Sequence, residues 1–312
     1  MLVRTLLILL AVTSTQSLAI SETVVQANAS RRTVDGKYVA DHAYLGHPYE
    51  EGSVWPQPQQ EDRDKSTEYT LDPNTFAFKS NLTNNDILKE AFDRYMDLIF
   101  PDTSLKPRPT VKQLMNIFVK VDNENQELDV DSDESYELTV EFPTATLHAV
   151  SVWGALRGLE TFSQLVFENQ TNYMIHKNKI KDKPRFRYRG FLIDTSRHYL
   201  PVPTIFQFLD AMAYSKFNVL HWHIVDDPSF PFVSQKFPQL HEKGAFDPKS
   251  HVYNPDDVQD IIRYARMRGI RIMPEFDTPG KDINVSFFRI FLIHIAVWPN
   301  AGRGQFFLSE LY

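Results

Sequence analysis

The chain of 312 residues is 42% hydrophobic and 23% charged and has only 11 glycines, which excludes a collagenous, low-complexity or wholly disordered protein. Its formal net charge of −7 and the lack of a long basic block argue against nucleic-acid binding. Cysteine is absent from the sequence, which excludes disulfides, thiolate zinc sites, iron–sulfur clusters and cysteine nucleophiles.

Residues 1–19 have the pattern of a secretory signal peptide. Arg4 precedes an apolar run, and small residues at a cleavage site end at Ala19. The apolar run is much shorter than the ~20 residues of a spanning helix, so we expect a protein of the secretory pathway without a membrane span. Three sequons are candidate glycosylation sites in that compartment, at Asn28, Asn81 and Asn169.

Residues 20–53 are polar without sustained periodicity and predict an N-terminal extension. Residues 54–184 predict a small α+β domain, in which apolar residues at helical spacing indicate helices over 87–99 and about 149–166. Short strands are predicted at 69–71, 76–78, 115–119 and 136–142. This order favours a mainly antiparallel sheet with both helices on one face. The polar, basic segment 172–183 and Pro184 mark the domain boundary.

From residue 185 onward strands alternate with helices. Apolar strands at 191–193, 218–225 and 270–273 enclose predicted helices at 203–214 and 255–268. Such continuous apolar strands are typical of a parallel sheet buried on both faces. The chain is thus predicted to be an α/β protein, in which the α+β domain precedes a partial barrel over residues 185–280.

Polar side chains follow each of these three strands. They are Asp194 and Arg197 after the first, Asp226 and Asp227 after the second, and Glu275 and Asp277 after the third. In a (β/α) barrel the active site forms at the carboxyl ends of the strands, so we expect these groups to converge on one pocket. Carboxylates and an arginine among aromatic residues fit a sugar site, and the sequence has no Gly-rich phosphate loop.

His221 and His223 raise an alternative, because a His-x-His pair points both imidazoles to one face of a strand and could ligate a metal in a metal-dependent barrel hydrolase. No further histidine pair completes a ligand set. We therefore favour the interpretation of two hydrogen-bonded histidines in the barrel interior.

Three segments carry a family resemblance: RGFLIDTSRHY at 189–199, HWHIVDD at 221–227 and PEFDTPG at 274–280. They resemble the lysosomal β-hexosaminidases of glycoside hydrolase family 20. Residues 54–56 and 153–162 resemble the α+β domain that precedes the (β/α)8 barrel in that family. The resemblance covers about residues 54–280 and implies a lysosomal or secreted hydrolase without a cofactor, whose full-length relatives dimerise.

The resemblance also implies a reaction, the retaining hydrolysis of terminal β-linked N-acetylglucosamine or N-acetylgalactosamine. In that family the acetamido oxygen of the substrate attacks the anomeric carbon, an Asp steadies the intermediate, and the adjacent Glu is the general acid and base. Carried over by position, Arg197 binds hydroxyls of the terminal sugar. Asp226 and His251 form a supporting polar network to which Glu275 also belongs.

The sequence departs from the family after residue 280. Lys281 stands where the family has a histidine, and the catalytic Asp-Glu pair does not occur in residues 281–312. From Gly190 onward the chain has about half of the ~250 residues that a complete barrel needs, so we expect only its first three strands. The tail 281–312 is interpreted as a translated intron or a mispredicted gene end. We expect this chain to be inactive, either as a truncated hexosaminidase or as a non-catalytic glycan-binding or regulatory product.

Overall fold

The computed structural model of the protein describes residues 50–105, 111–125, 127–169 and 172–277, together with the backbone of two short strands upstream. These strands, β1 (Arg32–Val34) and β2 (Lys37–Val39), pair antiparallel within the segment expected to lack periodicity. The sequence between them is Asp35-Gly36, a dipeptide typical of a two-residue hairpin. The predicted signal peptide, Asn28 and the tail 281–312 lie outside the described residues.

A seven-stranded mixed sheet forms the N-terminal domain. Its strands are β3 (Gln60–Leu71), β4 (Ala77–Ser80), β5 (Asn116–Asn123), β6 (Tyr136–Val140), β7 (Thr144–Ser151), β8 (Phe167–Asn169) and β9 (Asn172–Asp182). The order is β3-β9-β6-β7-β5-β4, with β8 paired to β9. The pairs β4–β5 and β5–β7 are parallel, so the sheet is less uniformly antiparallel than predicted.

Strand β9 occupies the basic segment that was predicted to mark the end of the domain. Its residues Tyr173, Ile175 and Ile180 are buried in the core of the domain. On the open face of the sheet, Lys177 pairs with Glu141 and Lys181 pairs with Glu137. Over residues 177–182 partly or fully exposed residues alternate with the buried Asn178 and Ile180, as in a half-buried strand.

Two helices cover the other face of this sheet, as predicted. Helix α1 (Asp86–Ile99) begins after Asn85, whose side-chain oxygen accepts from the Leu88 N–H at 2.9 Å. Helix α2 (Val152–Leu165) begins later than the predicted residue 149, because β7 continues to Ser151. The Ser151 hydroxyl caps the helix. Gly158 of α2 lies so close to the sheet that a Cβ there would be 2.3 Å from the Leu147 side chain. Nearly all residues of α2 are buried, because this helix lies between the sheet and the second domain.

The second domain contains a three-stranded parallel sheet in the order β10-β11-β12. Its elements are β10 (Gly190–Asp194), α3 (Val202–Tyr214), β11 (Val219–Val225), α4 (Gln239–Gly244), α5 (Pro255–Arg266) and β12 (Arg271–Phe276). Two points differ from prediction: the short helix α4 was not anticipated, and Glu275 lies inside β12 instead of after it. None of the helices in the described ranges is both long and apolar enough to cross a membrane.

A buried carboxylate joins the two domains. Glu134 accepts hydrogen bonds from Arg157 Nε at 2.7 Å, from Arg189 Nη2 at 2.7 Å and from Asn218 Nδ2 at 3.2 Å. Arg157 in turn donates to the backbone oxygen of Gly269 at 2.8 Å. Since Arg189 precedes β10 and Asn218 precedes β11, this cluster fixes the starts of two barrel strands against the N-terminal domain.

Lys216 makes a second set of contacts between the domains. It has a left-handed backbone (φ 56°), and its buried ammonium donates to Thr161 Oγ1 at 2.6 Å and to the Tyr136 hydroxyl at 3.2 Å. Asp182 lies 3.8 Å from the same nitrogen. Burial lowers the pKa of Lys216 to about 8, and the nearby carboxylate of Asp182 opposes that effect.

Candidate active site

The register of the parallel sheet places Asp194, His223 and Glu275 side by side on neighbouring strands. Side chains in register point to the same face of a sheet, so the three form one layer on the face opposite the helices. His221 lies one layer earlier, level with Leu192 and Met273. Asp194 and Glu275, two of the polar groups predicted to converge, thus lie on the same face of the sheet.

Arg197 lies in the loop after β10, and Asp194 holds both the backbone and the side chain of this residue. Asp194 Oδ1 accepts from the backbone N–H groups of Ser196 at 3.1 Å and Arg197 at 3.0 Å, while Oδ2 accepts from Arg197 Nη1 at 2.8 Å. Arg197 Nη2 lies 2.5 Å from Asp226 Oδ2. The arginine side chain remains 55% exposed, so its remaining donors face solvent from a fixed position.

Asp226 is buried beneath Arg197. Its Oδ1 accepts from the backbone N–H of Asp227 at 2.6 Å, and its Oδ2 lies 3.0 Å from His223 Nε2. The hydrogen bond from Asp227, followed by the contacts with His223 and Arg197, lowers the pKa of Asp226. Asp226 is therefore a carboxylate that can only accept hydrogen bonds.

Both histidines of the His-x-His pair contact the carboxylate of Glu275. Its Oε2 lies 2.6 Å from His221 Nε2 and 2.8 Å from His223 Nδ1. The hydrogen bond with His223, with a smaller effect from His221, lowers the pKa of Glu275. This is the predicted arrangement of hydrogen-bonded histidines in the barrel interior.

The described residues contain one group of potential metal ligands whose atoms lie within 4.8 Å of one another, formed by His223, Asp226 and Asp277. The guanidinium of Arg197 already contacts Asp226, and both ring nitrogens of His223 face carboxylate oxygens. The Arg197 guanidinium lies 2.5 Å from Asp226 Oδ2 and 3.2 Å from His223 Nε2, so a positive charge of the protein already lies against two of these three groups. The geometry thus gives no support to the metal-dependent alternative.

The resemblance implied that His251 contacts Asp226, and this is wrong: His251 lies elsewhere. Its ring packs 4.9 Å from Tyr199 and 5.6 Å from Phe246, and its Nδ1 lies 2.8 Å from Ser250 Oγ. The histidine in contact with Asp226 is His223. Residues two apart in a strand point to the same face, so the sequence itself places His223 on the same face as His221. This spacing is the sequence signal that could have identified His223 as a residue of the site.

The aromatic residues predicted around the site pack behind it. Tyr199 stacks on Tyr253 with ring centroids 4.9 Å apart, and Trp222 meets Tyr253 edge-on at the same distance. The indole of Trp222 donates to Thr195 Oγ1 at 2.9 Å. These contacts fix the loop that carries Arg197 and leave the aromatic rings as part of the core.

Two sequons fall within the described residues, and glycosylation of either stays a prediction. Asn81 is exposed, but its carboxamide pairs with the backbone of Val121, accepting at 2.8 Å and donating at 2.9 Å. Asn169 ends β8. The rest of its sequon, residues 170–171, lies outside the described ranges.

A β/α sheet preceded by an α+β domain, with an arginine and carboxylates at the carboxyl ends of its strands, is the arrangement expected of a barrel glycosidase. Residues 186–285 match the catalytic domain of glycosyl hydrolase family 20, and residues 54–165 match the domain described as beta-acetyl hexosaminidase like. The chain therefore belongs to glycosyl hydrolase family 20, the family of the β-N-acetylhexosaminidases.

Curated relatives support the same assignment. The chain is 45% identical over 245 residues to the beta-hexosaminidase subunit alpha of Rattus norvegicus, a match that covers 74% of this chain and 46% of the relative. It is 51% identical over 207 residues to the beta-hexosaminidase subunit beta of Homo sapiens, covering 64% of this chain and 37% of the relative. The chain thus spans about half the length of the curated relatives it matches.

Solved structures show the same fold. A chitobiase of Flavobacterium johnsoniae superimposes with a TM-score of 0.64 at 30% identity, covering 73% of this chain and 35% of that protein. An exo-β-N-acetylglucosaminidase of Vibrio harveyi, solved in complex with N-acetylglucosamine, superimposes with a TM-score of 0.60 at 24% identity, covering 80% of this chain and 42% of that protein. The prediction of an α+β domain followed by part of a (β/α) barrel is confirmed.

Proposed function

We propose that the chain recognises the terminal, non-reducing β-linked N-acetylglucosamine or N-acetylgalactosamine of glycoconjugates. The observation that carries this proposal is the half-exposed guanidinium of Arg197, held by Asp194 and Asp226 at the carboxyl end of β10. Guanidinium has five N–H donors in a rigid fork, and its remaining donors suit two adjacent hydroxyls of a pyranose. Asp226, buried beneath the guanidinium, holds it in this position.

Hydrolysis needs groups that the recognition site does not contain. The family reaction uses an Asp to steady the acetamido group and an adjacent Glu to protonate the leaving oxygen. Residues 281–312 contain no Asp-Glu pair, and Lys281 replaces a histidine of the family. Loss of a general acid alone reduces the rate by ~10²–10⁴-fold. The proposal is therefore that a polypeptide of these 312 residues binds the sugar without turning it over, and that hydrolysis belongs to proteins with a complete barrel.

The N-terminal pattern and the relatives support a place for this protein in the secretory pathway, with delivery to the lysosome or secretion. Glycans at Asn28, Asn81 and Asn169 and assembly with a hexosaminidase subunit are part of the same proposal. The curated relatives are subunits by name, which is consistent with assembly.

Two measurements on the expressed chain test this function. Titration with N-acetylglucosamine should perturb the NMR signal of the Arg197 guanidinium, and Arg197→Ala should abolish binding. Arg187→Ala is the matched control, since Arg187 is an exposed arginine paired with Asp131 outside the layer of Asp194 and His223. A chromogenic N-acetylglucosaminide at acidic pH should give no turnover. Equal sugar affinity in both variants contradicts the assigned site, and turnover comparable with a full-length relative contradicts the predicted inactivity.

A further inference from the structure

His223 lies between two carboxylates in the interior layer of the sheet. Its Nδ1 is 2.8 Å from Glu275 Oε2, and its Nε2 is 3.0 Å from Asp226 Oδ2. The residue is only 7% exposed, so water does not satisfy these nitrogens instead. A carboxylate oxygen only accepts hydrogen bonds, and each contact therefore requires an N–H on the facing nitrogen. Only the doubly protonated imidazolium offers an N–H to both carboxylates at once.

The neighbouring arginine offers the competing arrangement. Arg197 Nη1 lies 3.2 Å from His223 Nε2, and a neutral ring could accept a hydrogen bond there. That arrangement would direct the lone pair of Nε2 into the region that Asp226 Oδ2 occupies at 3.0 Å, so that two acceptors would face each other. Of the two N–H groups on Arg197 Nη1, one donates to Asp194 Oδ2 at 2.8 Å. The geometry therefore favours the imidazolium.

Resting on the sugar site proposed above, we propose that His223 is a positioning residue, an imidazolium that bridges Asp226 and Glu275 and holds Asp226 in the orientation that fixes Arg197. Charged groups face it from each neighbouring element: Asp194 from β10, His221 from β11, Glu275 from β12, and Arg197, Asp226 and Asp277 from the loops. The positive charges of the His223 imidazolium and of Arg197 offset the negative charges of the carboxylates in this layer. Without the second proton, the neutral ring keeps a single N–H, so one of the two carboxylates, Asp226 or Glu275, loses its donor.

The bridge depends on pH in a defined direction. Burial lowers the pKa of His223, but the hydrogen bonds with Glu275 and Asp226 outweigh it and raise that pKa above its ordinary value of 6.5. The stabilisation from the bridge is therefore complete below the unfolded pKa and is lost as pH rises through the folded pKa. Sugar affinity should follow the same curve, high in acid and lower in base.

The experiment uses the whole chain with ¹⁵N-labelled histidine. The ring-nitrogen shifts of His223 are followed from about pH 5 to about pH 9, and N-acetylglucosamine is titrated in parallel. We expect two N–H groups on His223 through neutral pH and a roughly tenfold fall in sugar affinity as the ring loses its proton. His223→Gln identifies the resonance and should bind weakly at every pH. Glu275→Gln, which keeps the histidine, should move the His223 titration to lower pH.

The matched control is His148→Gln, which removes another imidazole–carboxylate pair, 2.7 Å from Asp122 on the N-terminal sheet. It should leave the pH dependence of sugar binding unchanged. A neutral His223 at about pH 6 with Nε2 as an acceptor, or a His223→Gln variant that keeps the wild-type pH dependence, overturns the bridge. A doubly protonated His223 in a chain that binds no N-acetylglucosamine at any pH overturns the proposed function and leaves the bridge standing.

Discussion

Replacement of Glu134 by alanine should be among the most destabilising single changes to this chain. The carboxylate is 8% exposed and accepts from two guanidinium groups and an amide, so its removal leaves Arg157 and Arg189 buried without their counter-charge. Breaking a buried pair by removing one partner costs about 3–5 kcal/mol. For a folded unit of this size, that corresponds to a fall in melting temperature of about 10 °C. Glu134→Gln keeps one acceptor and should lose about half as much.

The assay is thermal and urea unfolding of the whole chain, with Glu137→Ala as control. Glu137 lies on the neighbouring strand β6 and pairs with Lys181 at 2.6 Å, but its side chain is 53% exposed, so the loss should be below about 1 kcal/mol. Burial raises the pKa of Glu134, but Arg157 and Arg189 outweigh it and lower that pKa below 4.5. The stabilisation is thus present above about pH 4.5 and is lost as pH falls through the folded pKa. Equal losses in the two alanine variants would refute the reasoning.

Further predictions concern the sugar site, the domain contacts and the separate domains. In a barrel completed from a close relative, Arg197→Lys should lower kcat/KM nearly as much as Arg197→Ala, because an ammonium lacks the planar, bidentate donors of a guanidinium. Unchanged kinetics with a large fall in melting temperature would indicate a purely structural role. Lys216→Met should remove a rise in unfolding free energy between about pH 8 and pH 10.5, since the buried amine has a pKa of about 8 against 10.5 when unfolded, and the unfolded chain binds the proton more tightly. An unchanged pH profile in urea would contradict this prediction. A fragment of residues 54–184 should unfold cooperatively by calorimetry, and a molten fragment would show that the boundary is misplaced. Residues 190–280 alone should self-associate in sedimentation experiments, because β10 and β12 each have an unpaired edge within the described sheet, whereas a protease-resistant monomer would show that the three strands are sufficient.

The sequence predicted the barrel strands well because each is a continuous apolar run ended by polar residues. It predicted β9 poorly because Lys177 and Lys181 dominate its composition, although their charges pair with glutamates on an open sheet face. The start of α2 was misplaced because the alternation of β7 merges with the helical pattern. Only the cap at Ser151 separates the two elements.

In the site, Arg197, Asp226 and Glu275 lie together as the resemblance and the strand ends predicted. The pairing of Asp226 with His251 could not be judged from the sequence, because His251 belongs to a loop whose path depends on packing against Tyr199 and Phe246. His223 was assigned only a structural interpretation, since its role depends on the register between three strands. That register follows from tertiary contacts that no local pattern encodes.

The contact between Glu134 and the starts of the barrel strands has a consequence for the order of events during synthesis. The last strand of the N-terminal sheet, β9, ends at Asp182, and Asn218 follows it by 218 − 182 = 36 positions, which at ~5–20 residues per second is a delay of about 2–7 s. Small mixed α/β domains fold in milliseconds to seconds, so the seven-stranded sheet and its two helices can be complete before β11 is made. Glu134 and Arg157 then lie on the surface of a folded domain before Arg189 and Asn218 can contact Glu134. A domain that is folded at that stage can set the spacing of the first two barrel strands as they are synthesised, through the contacts of Glu134 with Arg189 and Asn218.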